Sequence, residues 1–160
     1  MAEIKSKYGT SNQPITITLD SLADAGMRAS TAVDNSSTCF LDAMVQLKIV
    51  SGASAPTGDK NVLVYAYASA DSGVTYSGGA TGSDDGYSGA AGQLMDNCKL
   101  LGIVNVDAAN ETFESDVFSV ASAFAGVLPE RWGIIVRNQT GQTFGYGCAA
   151  FYQGVFAQTS

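Results

Sequence analysis

The chain contains no histidine, the side chain that most often transfers protons near neutral pH. A serine or cysteine nucleophile therefore has no histidine base, and no Ser-x-x-Lys motif at a helix start offers a lysine instead. Carboxylate pairs remain, namely Asp84 with Asp85 in a glycine-rich loop and Glu111 with Glu114 around a strand start. Neighbouring loop carboxylates are usually solvated, and Glu111 and Glu114 would point to opposite faces of a strand. We therefore predict no catalytic residues and no enzymatic activity.

Positive charge is scarce as well. Eight Lys and Arg residues stand against fifteen Asp and Glu residues, which gives a formal net charge of −7. Nucleic-acid binding is driven by clustered cations that release counterions from phosphates, and the chain has no basic stripe that could do this. We predict no nucleic-acid partner. An acidic surface instead favours solubility or a basic partner face.

Long apolar runs and paired cysteines are also missing. No run approaches the roughly 20 residues of a membrane span, and the N-terminal residues MAEIKSKYGT have no apolar signal-peptide core. Cys39, Cys98 and Cys148 are odd in number and about 50 residues apart, and each lies in an apolar run. They are predicted to be buried, reduced thiols. GSDDG lacks the ligand spacing of a calcium loop, so no metal and no cofactor are predicted.

What the chain does have is alternation of apolar and polar residues. In CFLDAMVQLKIV (39–50), residues such as Ala43, Val45 and Leu47 share one face, and Gln46 and Lys48 lie on the other. This period of two is typical of a half-buried strand. Eight such segments are predicted as strands: 13–20, 29–34, 39–50, 61–70, 98–106, 113–124, 131–139 and 147–158.

Many strands with hardly any helix predict an all-β fold. Only 20–28 could form a helical turn or two. Eight strands of this length fit an antiparallel β-sandwich of jelly-roll type, and 160 residues suffice for one domain that buries roughly 70% of its unfolded surface. We predict a single domain over 13–160 and a short N-terminal arm over 1–12. Trp132 is predicted to lie in the core.

A long segment, 70–97, is rich in glycine, serine and aspartate and interrupts the strand pattern. Loops of this length in a compact domain are often functional. Its Tyr76, Asp84, Asp85 and Tyr87 are predicted as exposed contact residues. The alternative is a platform that stacks sugars, built from tyrosines of this loop and of the strand at 61–70. Its members would be Tyr65, Tyr67, Tyr76 and Tyr87.

Three stretches together resemble a family of tailed-bacteriophage capsid decoration, or cement, proteins of β-sandwich type. They are LDAMVQLKIVSGASAPTGDKNVLVYAYASADSGVTYSGGATG, KLLGIVNV, and FSVASAFAGVLPERWGIIVRNQTGQTF leading to FYQGVFAQ. The resemblance covers roughly 13–158. It rests on similarity of these sequence stretches and not on a catalytic motif. It implies a structural protein that binds the outside of a phage capsid and bridges capsomers. Tail or fibre components, including a glycan-binding module, are the alternative.

The same resemblance implies a set of partners and a location. The major capsid protein is the expected partner, together with other copies of the chain, with a homotrimer favoured. The expected location is the virion surface after synthesis in the host cytoplasm, with no membrane partner. The arm offers its own contacts, because Ile4 and Tyr8 could insert into a groove while Lys5 and Lys7 supply positive charge. We expect this arm either to be disordered or to dock on a neighbour.

Overall fold

The computed structural model describes residues 3–89 and 91–159, which form twelve strands, two short α-helices and one 3₁₀ turn. The strands are β1 (Ile4–Tyr8), β2 (Gln13–Pro14), β3 (Met27–Ala29), β4 (Val33–Asp34), β5 (Asp42–Val50), β6 (Asn61–Ser69), β7 (Asp85–Gly86), β8 (Lys99–Asn105), β9 (Thr112–Glu114), β10 (Phe118–Ser119), β11 (Arg131–Gln139) and β12 (Ala149–Thr159). The helices are α1 (Ala91–Asn97) and α2 (Val120–Ala123), and the 3₁₀ turn is Ser77–Gly79.

The strands form two sheets, and every strand pair is antiparallel. Sheet 1 has the order β1-β12-β5-β10, with β2 also paired to β12 and β9 to β5. Sheet 2 has the order β7-β3-β11-β6-β8, with β4 also paired to β11. The predicted all-β antiparallel sandwich is confirmed.

The path of the chain through the sheets is that of a jelly roll. Three pairs of short segments, β1 with β2, β3 with β4, and β9 with β10, each lie beside the same partner strand. Counting each pair as one strand and setting β7 aside leaves eight strands. Their order is first-eighth-third-sixth in sheet 1 and second-seventh-fourth-fifth in sheet 2. This is the order produced when an antiparallel ribbon is wound into two sheets.

The main core lies between the two sheets. The inward residues of β5 are those that the alternation predicted, and they are fully buried against β6 and β11. The principal members are Ala43, Val45, Leu47, Ile49, Val62, Val64, Ala66, Trp132, Ile134 and Val136. The alternation fails only at the start of the predicted strand, because β5 begins at Asp42 and leaves Leu41 57% exposed.

A second apolar cluster covers the outer face of sheet 2. Tyr65, Tyr67 and Ile135 point away from the main core and pack against Tyr87 and Leu94 of the 70–97 segment. This segment contains the 3₁₀ turn, β7 and α1. β7 pairs with β3 at the edge of sheet 2, and the rest of the segment lies over the sheet as a third layer. Sheet 2 is therefore buried on both faces over its centre.

Several predicted strands are shorter or broken. Segment 113–124 divides into β9, β10 and α2 because the hydroxyl of Ser115 accepts the Leu47 backbone N–H and that of Ser119 accepts the Ser122 N–H at the start of α2. Only Gln13–Pro14 of segment 13–20 pairs as a strand, and 29–34 is divided between β3 and β4. The helical turn predicted for 20–28 is wrong, since 20–26 forms turns and loop and 27–28 belong to β3.

A substitution at Gly133, which packs against Tyr67, can test the packing of sheet 2. A Cβ atom at Gly133 would lie 2.4–2.5 Å from the ring of Tyr67, which is fully buried and donates its hydroxyl to the Ser30 carbonyl at 2.6 Å. Because this ring cannot move away freely, Gly133→Ala should lower the free energy of unfolding by about 1–3 kcal/mol in denaturant titration. Gly86→Ala is the control, since a Cβ there meets nothing within 4 Å. Equal effects of the two substitutions would contradict the packing.

Candidate attachment site

The predicted N-terminal arm contains strand β1, which pairs with the end of β12. The register runs from Ile4 opposite Thr159 to Tyr8 opposite Val155. On its other side β12 pairs with β5 only as far as Val155, which lies opposite Asp42. Beyond this point β1 and β12 form a two-stranded extension of sheet 1, which we call the terminal ribbon (4–8 with 155–159). The expectation of a disordered arm is wrong for 4–8, because these residues pair along one edge with β12.

The terminal ribbon is anchored at its base by Phe40. The ring of Phe40 lies over Gly154, where a Cβ atom would approach within 2.4–2.5 Å, and over Gly9. Its centroid lies 6.1 Å from that of Phe156. The Gly9 N–H donates to the Gly154 carbonyl at 2.8 Å. The ribbon therefore leaves the sandwich in a defined direction.

The two faces of the ribbon differ chemically. Ile4 and Tyr8 share one face, since they are four residues apart on a strand, and they are 77% and 61% exposed. Lys5 and Lys7 lie on the other face, where the Lys7 ammonium is 5.7 Å from the centre of the Phe156 ring. Lys5 forms an exposed ion pair with Glu3 at 3.0 Å. The ribbon thus offers an apolar face and a cationic face to solvent.

The sign of its charge separates the ribbon from the rest of the domain. Residues 3–8 carry two lysines and one glutamate, a net charge of +1, and the other six cations and fourteen carboxylates leave the rest of the chain at −8. Two of those six cations are paired, Arg28 with Asp84 and Arg131 with Asp34, both at 2.7 Å. The ribbon is therefore a small basic region on an acidic body.

The four predicted platform tyrosines are not displayed to solvent. Tyr65, Tyr67 and Tyr87 are buried, and Tyr76 is half-buried with its ring edge-on to Tyr67, the two centroids 5.4 Å apart. The hydroxyl of Tyr87 donates to the Gly78 carbonyl. The prediction of Tyr76 and Tyr87 as exposed contacts is wrong, because the 70–97 segment uses these rings to cover sheet 2.

Asp84 and Asp85 also have structural partners. Asp84 accepts hydrogen bonds from the Thr18 backbone N–H at 2.9 Å, the Thr18 hydroxyl at 2.6 Å and the Arg28 guanidinium at 2.7 Å. Burial would raise the pKa of Asp84, but these hydrogen bonds together outweigh it and hold the pKa below its usual range. Asp85 accepts from the Thr81 hydroxyl at 2.9 Å. Asp84 clamps the loop to β3 and is not a freely exposed contact.

The other candidate carboxylates and the cysteines do not come together in one site. Glu111 and Glu114 are both exposed; Glu111 immediately precedes β9, and Glu114 is its last residue. Over 3–89 and 91–159, no group of three or more Cys, Asp or Glu side chains could hold a metal ion. The prediction of three buried thiols is confirmed for Cys98, while Cys148 is only half-buried. The prediction is wrong for Cys39, which is exposed because it lies in the turn before β5.

One exposed aromatic residue was missed by the sequence analysis. Tyr146 is 80% exposed and lies in the connection between β11 and β12. It stands between Gly145 and Gly147, and this flanking by glycines was the available signal. The strand partner of the arm was missed too, because a pairing between the two ends of a chain leaves no local pattern.

Comparison of the chain with protein-family models, curated proteins and solved structures finds no match. The resemblance to capsid decoration proteins therefore stays a prediction. Among the helices that the structure describes, none is long and apolar enough to cross a membrane.

The thiols should differ in reactivity. Burial raises the pKa of Cys98 to about 11 and raises that of Cys148, so both form little thiolate near neutral pH, whereas Cys39 is open to reagent. Dithionitrobenzoate at pH 8 should titrate one thiol quickly in the native protein and three after denaturation. Cys39→Ser should remove the fast phase. Three equally fast thiols in the native protein would contradict the burial of Cys98.

The Asp84 clamp should contribute to stability in a pH-dependent way. Asp84→Asn should lower the free energy of unfolding by about 1 kcal/mol at pH 7, since charged hydrogen bonds are lost at a partly exposed site. The folded-state pKa lies below the unfolded value of about 3.9, so the contribution is complete above that value and is lost as pH falls through the folded-state pKa. The difference between wild type and variant should therefore shrink as the pH falls below about 4. Asp107→Asn, at an exposed carboxylate, is the control. A difference that does not depend on pH would exclude the clamp.

Proposed function

We propose that this protein is a structural component of a bacteriophage virion, which binds the outside of the capsid and stabilises it by bridging capsomers. The terminal ribbon would make the contact. The single observation that carries the proposal is that the ribbon exposes Ile4 and Tyr8 on one face and Lys5 and Lys7 on the other, on a body of opposite charge. Exposed apolar side chains grouped in this way are typical of a binding surface.

The backbone of the ribbon supports the same proposal. Among the described residues β1 pairs only with β12, and 156–159 of β12 pair only with β1. Both ribbon edges therefore present backbone N–H and C=O groups that another strand can pair with. A partner strand from the major capsid protein could add to either edge, with Ile4 and Tyr8 setting the register by filling pockets.

Pre-ordering of the ribbon would favour attachment. Fixing a disordered arm on binding costs roughly 1–2 kcal/mol per residue. Residues 4–8 are already held by β12, so much of this cost falls on folding and not on binding. An isolated two-stranded ribbon is marginally stable, and the capsid surface would supply the missing contacts.

The remaining parts of the proposal come from the resemblance. They are a homotrimer, attachment to the major capsid protein, and a location on the virion surface after synthesis in the host cytoplasm. Several copies of a small contact would add avidity if the subunits associate. The glycan-binding alternative at the tail or fibres loses its basis in Tyr65, Tyr67 and Tyr87, since these rings are buried.

Retention on capsids tests the ribbon. The double variant Ile4→Ser, Tyr8→Ser should bind capsids of the cognate major capsid protein roughly 100-fold more weakly in cosedimentation, since two buried side chains contribute about 3 kcal/mol. Its melting temperature should change little, because both side chains are exposed in the free protein. Val74→Ser removes a side chain that is 81% exposed but lies outside the ribbon, and it should bind as wild type.

Two outcomes would count against the proposal. Equal retention of the double variant and wild type would remove the ribbon from the mechanism. Immunogold labelling that finds the protein on tails or fibres and not on heads would overturn capsid decoration itself.

A further inference from the structure

A second surface lies at the other end of β5 from the ribbon. Here the chain leaves β5 through Ser51 and Gly52 and meets the connection between β11 and β12, with Ser51 bridged to Phe144. The two segments border an open cleft of about 560 Å³, within the roughly 300–1,000 Å³ of small-ligand sites. The lining residues that bear on ligand binding are Ser21, Val50, Asn110, Thr143, Phe144 and Tyr146.

Tyr146 stands on the wall of this cleft with its side chain 80% exposed. The backbone around it is held on both sides. The Gly145 N–H donates to the Val50 carbonyl at 2.8 Å, and the Gly147 N–H donates to the Asp20 carboxylate at 2.9 Å. A large ring on a fixed backbone is thus presented to solvent and contributes little to the core. Such a ring is suited to binding, because little conformational entropy is lost when a ligand packs on it.

The lining of the cleft carries no charged side chain. Ser21, Asn110 and Thr143 are exposed, and within the described ranges their side chains make no hydrogen bond to the protein. Their hydroxyl and amide groups can both donate and accept. Val50 is half-buried and adds apolar surface, and the buried Phe144 borders the cleft. No lining residue offers a cation to a phosphate or carboxylate ligand, and the Lys48 ammonium lies outside the lining, beside Gly147. A neutral ligand with many hydroxyls would find several hydrogen-bond partners in the lining.

The shape of the cleft is set by close backbone approach. A Cβ atom at Gly52 would lie 2.4 Å from the Thr143 carbonyl oxygen, and one at Gly145 would lie 2.8 Å from that of Ser51. Only glycine fits at both positions. The two segments are therefore held against each other before any ligand arrives.

We propose that this cleft binds a neutral saccharide. The face of the Tyr146 ring would stack on the apolar C–H face of one sugar ring, because the electron-rich aromatic face attracts the polarised C–H groups. Asn110, Thr143 and Ser21 would hydrogen-bond to the sugar hydroxyls. This site is separate from the ribbon and does not depend on capsid attachment.

A glycan array with neutral and acidic oligosaccharides, followed by titration calorimetry on the best ligand, tests the proposal. Wild type should bind neutral glycans in preference to acidic ones. Tyr146→Ala should weaken binding at least tenfold, and Tyr146→Phe, which keeps the ring, should retain most of it. Tyr8→Ala is the matched control, since Tyr8 is also an exposed tyrosine but lies on the ribbon, and it should leave glycan binding unchanged.

Three outcomes would overturn this site: no binding of any neutral glycan at millimolar concentration, equal binding by wild type and Tyr146→Ala, or self-association that depends on Tyr146 and covers the cleft. Capsid retention of Tyr146→Ala should equal that of wild type. Glycan binding and capsid retention therefore test the saccharide site and the ribbon independently.

Discussion

The structure depends on the antiparallel pairing of β6 with β11. Nine residues of each strand are in register, from Asn61 opposite Gln139 to Ser69 opposite Arg131. One face of this pair packs into the main core, with Trp132 fully buried, and the other face is covered by the 70–97 segment. Because both faces are buried, a shift of one residue would exchange the two sets of side chains, so the register is strongly specified.

The third layer explains why the segment richest in apparent recognition residues is structural. Its tyrosines and Leu94 bury apolar surface that sheet 2 would otherwise expose. Asp84 then ties the segment to Thr18 and Arg28. An unusually long glycine-rich segment is thus tolerated because its backbone wraps closely over a sheet and its few large side chains fill the space beneath it.

The two surfaces that we propose for binding lie at opposite ends of β5. The ribbon begins where Asp42 meets Val155, and the cleft lies beyond Val50. The nine residues of β5 separate them by about 27 Å at about 3.4 Å per residue. If both proposals hold, the protein would attach through the ribbon and present the cleft at its far end. A stiff sandwich between the two suits this arrangement.

The sequence by itself determined the elements whose signal is local. Alternation over 39–50, 61–70 and 131–139 was enough to predict strands, their inward faces and an antiparallel sandwich, since period two follows from strand geometry. It could not show that Cys39 and Leu41 fall before β5, that Tyr87 is buried, or that 4–8 pairs with the end of the chain. Those features depend on contacts between residues far apart in sequence, where burial and pairing are decided by what packs opposite. Only the tertiary structure therefore decided which polar and aromatic residues remained exposed for binding.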